Sequence, residues 1–520
     1  MVPCDLLVFL TYISSRPIGN AEYKPEYSER WFLWPFVLSL SPIQKLKLTS
    51  RQKAQLRRPR PFLFLAILAI FGLPWLLLFK TGAQARTQAT QVDAAADIFL
   101  SQISQQSQNG AAKQFDRLAA KLGFIPNSAD ALLQVDTDAE QDYRAIEALL
   151  DAFLASQLTK TTGALATPPV ELSHYLTQYE IPLAALQAHL LEKPAPLWEI
   201  DFERMSEIGY SPPGFINVLN TQKLLLLSAA SHAQAADTDQ MLQAMEASWR
   251  LNEVISQQPD LVSQMLVSFT AEQQSGLLRH MEGIPVVWQE RWRKRLSDRN
   301  RISGFIDDSI DKDTFETSSR QSLERSITSG LQFDVWLQYK MLQRSLLSPT
   351  VRRSAYGRSD SRLSATVSYW FSPVYYFSLN NIDTQATSQR AIEILRTLNT
   401  CKTTQAEAEQ QISVEKTAVW NRNRLPAETF ARRWKAAGDR ALTLELTQKI
   451  LQAKQLAHQN GEWPAALPGL DSDVCPGEFW LYERTDDGAI ALSFSAEIDS
   501  LARVPLHYRS PDLSSKPKGL

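Results

Sequence analysis

The sequence predicts a mainly α-helical protein: a single transmembrane helix, an exported body of α-hairpins resembling those of helical-repeat proteins, and a small C-terminal antiparallel β-hairpin. Three observations predict it. Pro61–Phe79 runs for 19 residues without a charged side chain. From Pro213 onward, apolar residues recur at helical spacing in segments of about twenty residues joined by very short links. After Asn460-Gly461 the periodicity changes to the alternation of strands.

The N-terminal 60 residues form a basic tail with little predicted order. Trp31–Ile43 is apolar, but its 13 residues are broken by Pro35, which fits a membrane interface better than a span. Pro61–Phe79 then makes a helix of about 28 Å, enough to cross a hydrocarbon core. Gly72 and Pro74 are tolerated in such a helix, and Trp75 suits its distal interface.

Charge sets the orientation. Lys45, Lys47, Arg51, Lys53, Arg57, Arg58 and Arg60 precede the span with no acidic residue among them, which keeps the N-terminus in the cytoplasm. Of 54 basic and 56 acidic residues, 10 and 4 lie in residues 1–60, leaving 44 and 52 for the exported side. Ala83-Gln84-Ala85 has the small-x-small form of a signal-peptidase site, so cleavage there competes with an uncleaved anchor. A start codon placed upstream of the true N-terminus is a further alternative.

The body is expected over 80–345. The spacing predicts helices through Val92–Ile103, Phe115–Leu122 and Tyr143–Leu158, with prolines punctuating shorter pieces from Pro168 to Pro196. Phe215–Ala236 is the next helix. Asp237 and Thr238 offer caps to a helix carrying Leu242, Met245 and Trp249, and Pro259-Asp260 separates that helix from another. Ser348–Ser368 is Ser/Arg-rich, and an aromatic linker is expected over 346–385. Residues 386–458 return to helical spacing, and 459–520 form the β-containing tail. There Asp487-Gly488 marks a hairpin between Phe479–Glu483 and Ala489–Ser495, and Val504–Tyr508 offers a third, edge strand because of Pro505.

The phrases LAHQNGEWPAALPGL and FWLYERTDDGAIALSFS, within about 445–508, resemble the tails of type II secretion pseudopilins. There a long helix ends in an Asn-Gly-x-Tyr-Pro type turn before a small antiparallel sheet; the counterpart is Asn460-Gly461-Glu462-Trp463-Pro464. The layout is similar to that of single-pass bacterial membrane proteins with helical exported bodies. The resemblance implies the inner (plasma) membrane of a bacterium and a helix-plus-hairpin shape for the tail. It covers about 60 of 520 residues, and no Gly-Phe-Thr-Leu-type processing site precedes the span.

Candidate sites are few. Cys4 falls on the cytoplasmic side, which leaves Cys401 and Cys475 either as a disulfide in an oxidising compartment or as two buried thiols. Trp288 and Trp292 lie at i, i+4 among Arg291, Arg295 and other basic residues, either an ordinary packed helix with a solvated basic face or a patch for an anionic lipid head group or acidic glycan. Trp370, Tyr375 and Tyr376 cluster around Pro373, as an anchor for a loop or a grip on a sugar or peptide.

The six histidines are scattered. Glu171/His174 has the spacing of a di-metal helix without the second copy it needs, and His280/Glu282 lacks the Cys-x-x-Cys of a zinc deaminase. Asp307, Asp308, Asp311 and Asp313 do not have the ligand order of a calcium loop. No catalytic residue, metal or cofactor is assigned. The expected partners are the bilayer, through 61–79, and a protein in the envelope, with no nucleic acid. The function expected is a non-enzymatic scaffold; an exported enzyme using paired carboxylates on envelope polymer is the alternative.

Overall fold

The computed structural model describes residues 109–124, 134–198, 215–256 with Gln258, 261–291 apart from Gln289, 381–413, 426–498 and 504–510. All belong to the unit Gln84–Leu520. The basic tail, the apolar stretch 61–79, the acidic segment 307–313, the Ser/Arg-rich loop and the aromatic linker up to 380 lie outside the described residues. Among the described residues no helix is long and apolar enough to cross a membrane.

Helix α1 (Gly110–Ala120) begins where Asn109 Oδ1 accepts from the Ala112 amide at 2.8 Å. The turn that follows it passes through Gly123, φ 81°, where a Cβ would stand 2.2 Å from the Glu140 backbone nitrogen. Only glycine lets the chain turn this closely against the next helix. Helix α2 (Thr137–Thr159) starts at Asp136, whose carboxylate accepts from the Asp138 and Ala139 amides, with Asp138 and Glu140 favoured by the positive helix end. Helices α3 (Val170–Gln178) and α4 (Glu180–Glu192) divide at Tyr179. Pro182 sits in the first turn of α4, where no intrahelical N–H bond is lost.

Helices α5 (Phe215–Gln234), α6 (Thr238–Ser256) and α7 (Leu261–His280) are 20, 19 and 20 residues long. Their short links make each return alongside the last. Asp237 Oδ1 accepts from the Gln240 amide at 3.2 Å, as its capping position predicts.

The helical-repeat expectation needs correction. A solenoid unit touches only its neighbours, whereas α7 packs against α2, α5, α6 and a much later helix, and α1 packs on α4. The reason lies in α7 itself. Its buried residues include Ser263, Gln264, Glu272, Gln274 and Arg279, so it is enclosed on several sides instead of presenting one apolar stripe. At Gly276 a Cβ would lie 2.9 Å from Leu158 Cα, so glycine permits the close crossing of α2.

The second part of the described chain holds α8 (Asn381–Thr397), α9 (Gln405–Ser413) and α10 (Ala427–Asn460). Helix α8 starts inside the expected linker. Helix α10 has 34 residues, about 50 Å at 1.5 Å each, and ends at Gly461 with φ 75°, the left-handed cap that Asn460-Gly461 signalled. The strands β1 (Trp480–Arg484), β2 (Ile490–Phe494) and β3 (His507–Arg509) form an antiparallel sheet in that order. The expected hairpin is therefore the larger part of a three-stranded sheet, with Leu492 opposite both Tyr482 and Tyr508. β3 lies at the edge, after Pro505, and its outer side meets the body through a parallel bridge between Arg509 and Thr162.

Two cores result. The first joins α1–α7 around residues such as Phe115, Tyr143, Leu186, Leu225 and Leu278. The second joins α8–α10 and the sheet around Trp434, Ile450, Trp463, Trp480 and Leu492. Helix α10 serves both, giving Leu444 and Leu451 to the first and Leu442, Leu446 and Ile450 to the second. The packing thus continues across 458/459, where the sequence changes character. Cys401, in the turn after α8, and Cys475, between α10 and β1, form a disulfide with their Cα atoms 5.8 Å apart.

Candidate functional site

Where α7 meets α10, two polar stripes face each other. Glu272 and Arg279 are seven residues apart on α7, hence on one face; Arg440, Thr443, Thr447 and Lys454 form a matching row on α10. Arg279 is only 2% exposed. Its Nε donates to Thr447 Oγ1 at 2.8 Å, its Nη2 to the Thr443 carbonyl at 2.6 Å, and its Nη1 to the Leu158 carbonyl at 3.5 Å. Burial lowers its pKa to about 10, opposed by Glu272, so it remains a cation at neutral pH. Glu272 Oε2 lies 3.3 Å from Arg440 Nε; burial raises its pKa, and Arg440 opposes the shift.

Lys454 Nζ donates to the carbonyls of Arg279 and Met281 at 2.8 and 2.7 Å. A cation there satisfies carbonyls at the negative end of α7. His280, the last residue of α7, places Nδ1 2.9 Å from the Gly163 carbonyl. Facing a carbonyl, Nδ1 carries the hydrogen, which leaves the lone pair on Nε2. Among the described residues, that Nε2 and the Tyr508 hydroxyl are both buried without hydrogen-bond partners, and the two rings have centroids 6.0 Å apart. Burial lowers the His280 pKa to about 4, with Lys454, Arg279 and Lys160 adding to the shift.

Other buried polar groups join neighbouring elements. Glu445 on α10 accepts from Ser472 Oγ at 2.8 Å and the Asp473 amide at 2.7 Å, fixing the loop before β1. Asp151 on α2 pairs with Lys223 on α5 at 2.6 Å. Ser248 donates to Gln222 and accepts from Gln274, linking α5, α6 and α7. These groups have the chemistry of joints: each carboxylate named is held by a cation or a donor from another element. Among the described residues no three potential ligands gather for a metal.

The predicted basic–aromatic patch is corrected in part. Trp288 is 3% exposed and stacks edge-to-face on Trp249 at 5.6 Å, so it belongs to the first core and offers no surface. Arg291 covers its ring at 5.2 Å and pairs with Glu246. Trp288 turns inward for the ordinary reason that aromatic area is stabilised by burial. Trp292, Arg295, Trp370, Tyr375 and Tyr376 lie outside the described residues. Glu171 and His174 are both exposed on α3.

The seam residues carry no spacing signal: a single Arg or Lys on a long helix reads as a solvent-facing charge until its packing partners are known. No family model, curated protein or solved structure matches the chain.

Proposed function

We propose that this chain is a membrane-anchored, exported envelope protein whose helical body acts as a non-enzymatic scaffold for a protein partner. The observation that carries this reading is the uncharged stretch Pro61–Phe79 with seven basic residues and no acidic one between Lys45 and Arg60. The Cys401–Cys475 disulfide supports export, since such bonds persist in oxidising compartments. The engagement of Glu272 by Arg440 and of Glu445 by Ser472 and Asp473 favours a structural use of buried carboxylates over acid–base chemistry. The likeness of 445–508 to pseudopilin tails enters only as a shared local shape, a capped helix followed by a small sheet.

Reporter fusions test the topology. A fusion after Lys80 should report an exported location and one before Arg57 a cytoplasmic one; the reverse would overturn the orientation. A mature protein beginning at Arg86 would replace the anchor with a cleaved signal. For the scaffold itself, cross-linking of the detergent-solubilised full chain should recover one envelope protein in stoichiometric amount. Cleavage of isolated envelope polymer that vanishes in Glu272→Gln or Glu445→Gln would establish the enzymatic alternative instead.

A further inference from the structure

The edge of the C-terminal sheet is tied to the body at a small joint. The Arg509 amide of β3 donates to the Thr161 carbonyl at 2.7 Å, and the Gly163 amide donates to the Arg509 carbonyl at 3.4 Å. His280 holds the same loop from the other side, through Nδ1 and the Gly163 carbonyl, while its ring lies beside Tyr508 of β3. One imidazole therefore touches the end of α7, the loop after α2 and the edge strand.

Its surroundings suit only the neutral form. The Nε2 is buried and has no hydrogen-bond partner among the described residues, so a proton added there would have no acceptor. The charged groups bearing on it are cations from three directions: Lys160 from the loop, Arg279 from its own helix and Lys454 from α10. From β3 comes only the Tyr508 phenol. Glu282, exposed two residues further on, bears on Tyr508 and not on the imidazole.

We propose that this joint is a proton-operated release, in which protonation of His280 detaches the 161–163 loop from the end of α7 and from β3 while both cores stay folded. The proton comes from solvent and is taken up at Nε2. Opening gives the new N–H water as its acceptor and lets solvent screen the imidazolium from Arg279 and Lys454. Among the described residues, the hydrogen bonds that hold residues 161–163 are the one to His280 and the two to the Arg509 backbone, so little else must break.

The sign follows from the histidine's ordinary pKa of 6.5 and its value of about 4 in the closed joint. Between these values the open form binds more protons, so closure weakens as pH falls from about 6.5 to about 4 and changes no further below that. The joint should lose roughly a hundredfold in its closed-to-open ratio across that window.

Amide hydrogen exchange on the full chain in detergent tests this, with rates converted to protection factors so that the intrinsic effect of pH is removed. Protection at Gly163 and Arg509 should fall about a hundredfold between pH 7 and pH 4, while α5, α6 and the β1–β2 amides keep theirs. In His280→Gln the dependence at the two joint amides should vanish. Equal acid sensitivity in that variant, a flat wild-type profile, or loss of protection throughout both cores would each overturn the proposal. Should His280→Gln fail to fold, the wild-type profile decides alone. A one-proton slope between pH 6.5 and 4, confined to the joint, supports the proposal, and any other profile overturns it.

Discussion

Arg279 illustrates how a single side chain can join two cores. Its guanidinium spends its donors on Thr443, Thr447 and Leu158, and Glu272 stands on the same face of α7. Truncation in Arg279→Ala would leave a buried carbonyl without its donor and remove one of the cations near Glu272. Such losses cost about 3 kcal/mol, and Arg279→Lys should recover part of that, since an ammonium reaches one acceptor but lacks the planar fork. The measurement is the urea midpoint at unchanged slope. A shift below about 1 kcal/mol would mean that apolar contacts hold the seam without Arg279. None of this was legible beforehand. Spacing drew attention to Trp288 and Arg291, which do meet, but as a core tryptophan under a paired arginine. Arg279 and Lys454 give no local signal because their roles depend on residues more than 150 positions away.

Elements were more legible than residues, although α1 and α2 begin five and six residues before the expected Phe115 and Tyr143. Asp237 caps a helix with its own side chain at the position read for it, and Gly461 and Gly488 adopt positive φ where Asn-Gly and Asp-Gly signalled a stop and a turn. These are local rules, and they were satisfied locally. The packing order was not legible, because α7 and α10 bury polar residues on faces that sequence patterning assigns to solvent. Gly276 is the clearest case: on propensity it weakens α7, yet it lets α2 approach at Leu158. Gly276→Ala should therefore destabilise the first core by roughly 1–3 kcal/mol despite improving helix propensity, because backbone has to move. Thermal unfolding followed by circular dichroism would show a lowered midpoint. A raised midpoint would show that the crossing is loose enough to accept a methyl group.

At the scale of the whole molecule, the question is what keeps the sheet-bearing core from coming apart. Helix α10 spans both cores, but the second core is assembled from segments far apart in sequence, α8 and α9 on one side and the strands on the other. The Cys401–Cys475 bond closes a loop with a separation of 74 residues, and Cys475 is fully buried. In the chain-entropy model, a loop of this length stabilises the fold by about 4 kcal/mol. Cys401→Ala/Cys475→Ala should lower the stability of the second core by about that amount. Alanine is the better replacement here, because serine would add a buried hydroxyl with no assured partner. The first core, apart from Leu444 and Leu451, is built from α1–α7 and shares no covalent tie with the bond. Reduction should therefore move the unfolding of Trp434, Trp463 and Trp480 to lower urea while leaving the transition of Trp198 and Trp249 nearly in place. Single-tryptophan variants read by fluorescence distinguish the two. If all five tryptophans shift together, α10 couples the cores into one cooperative unit and the staple stabilises the whole. If none shifts, apolar packing already confines the two chain segments, and the bond adds little to the fold it crosses.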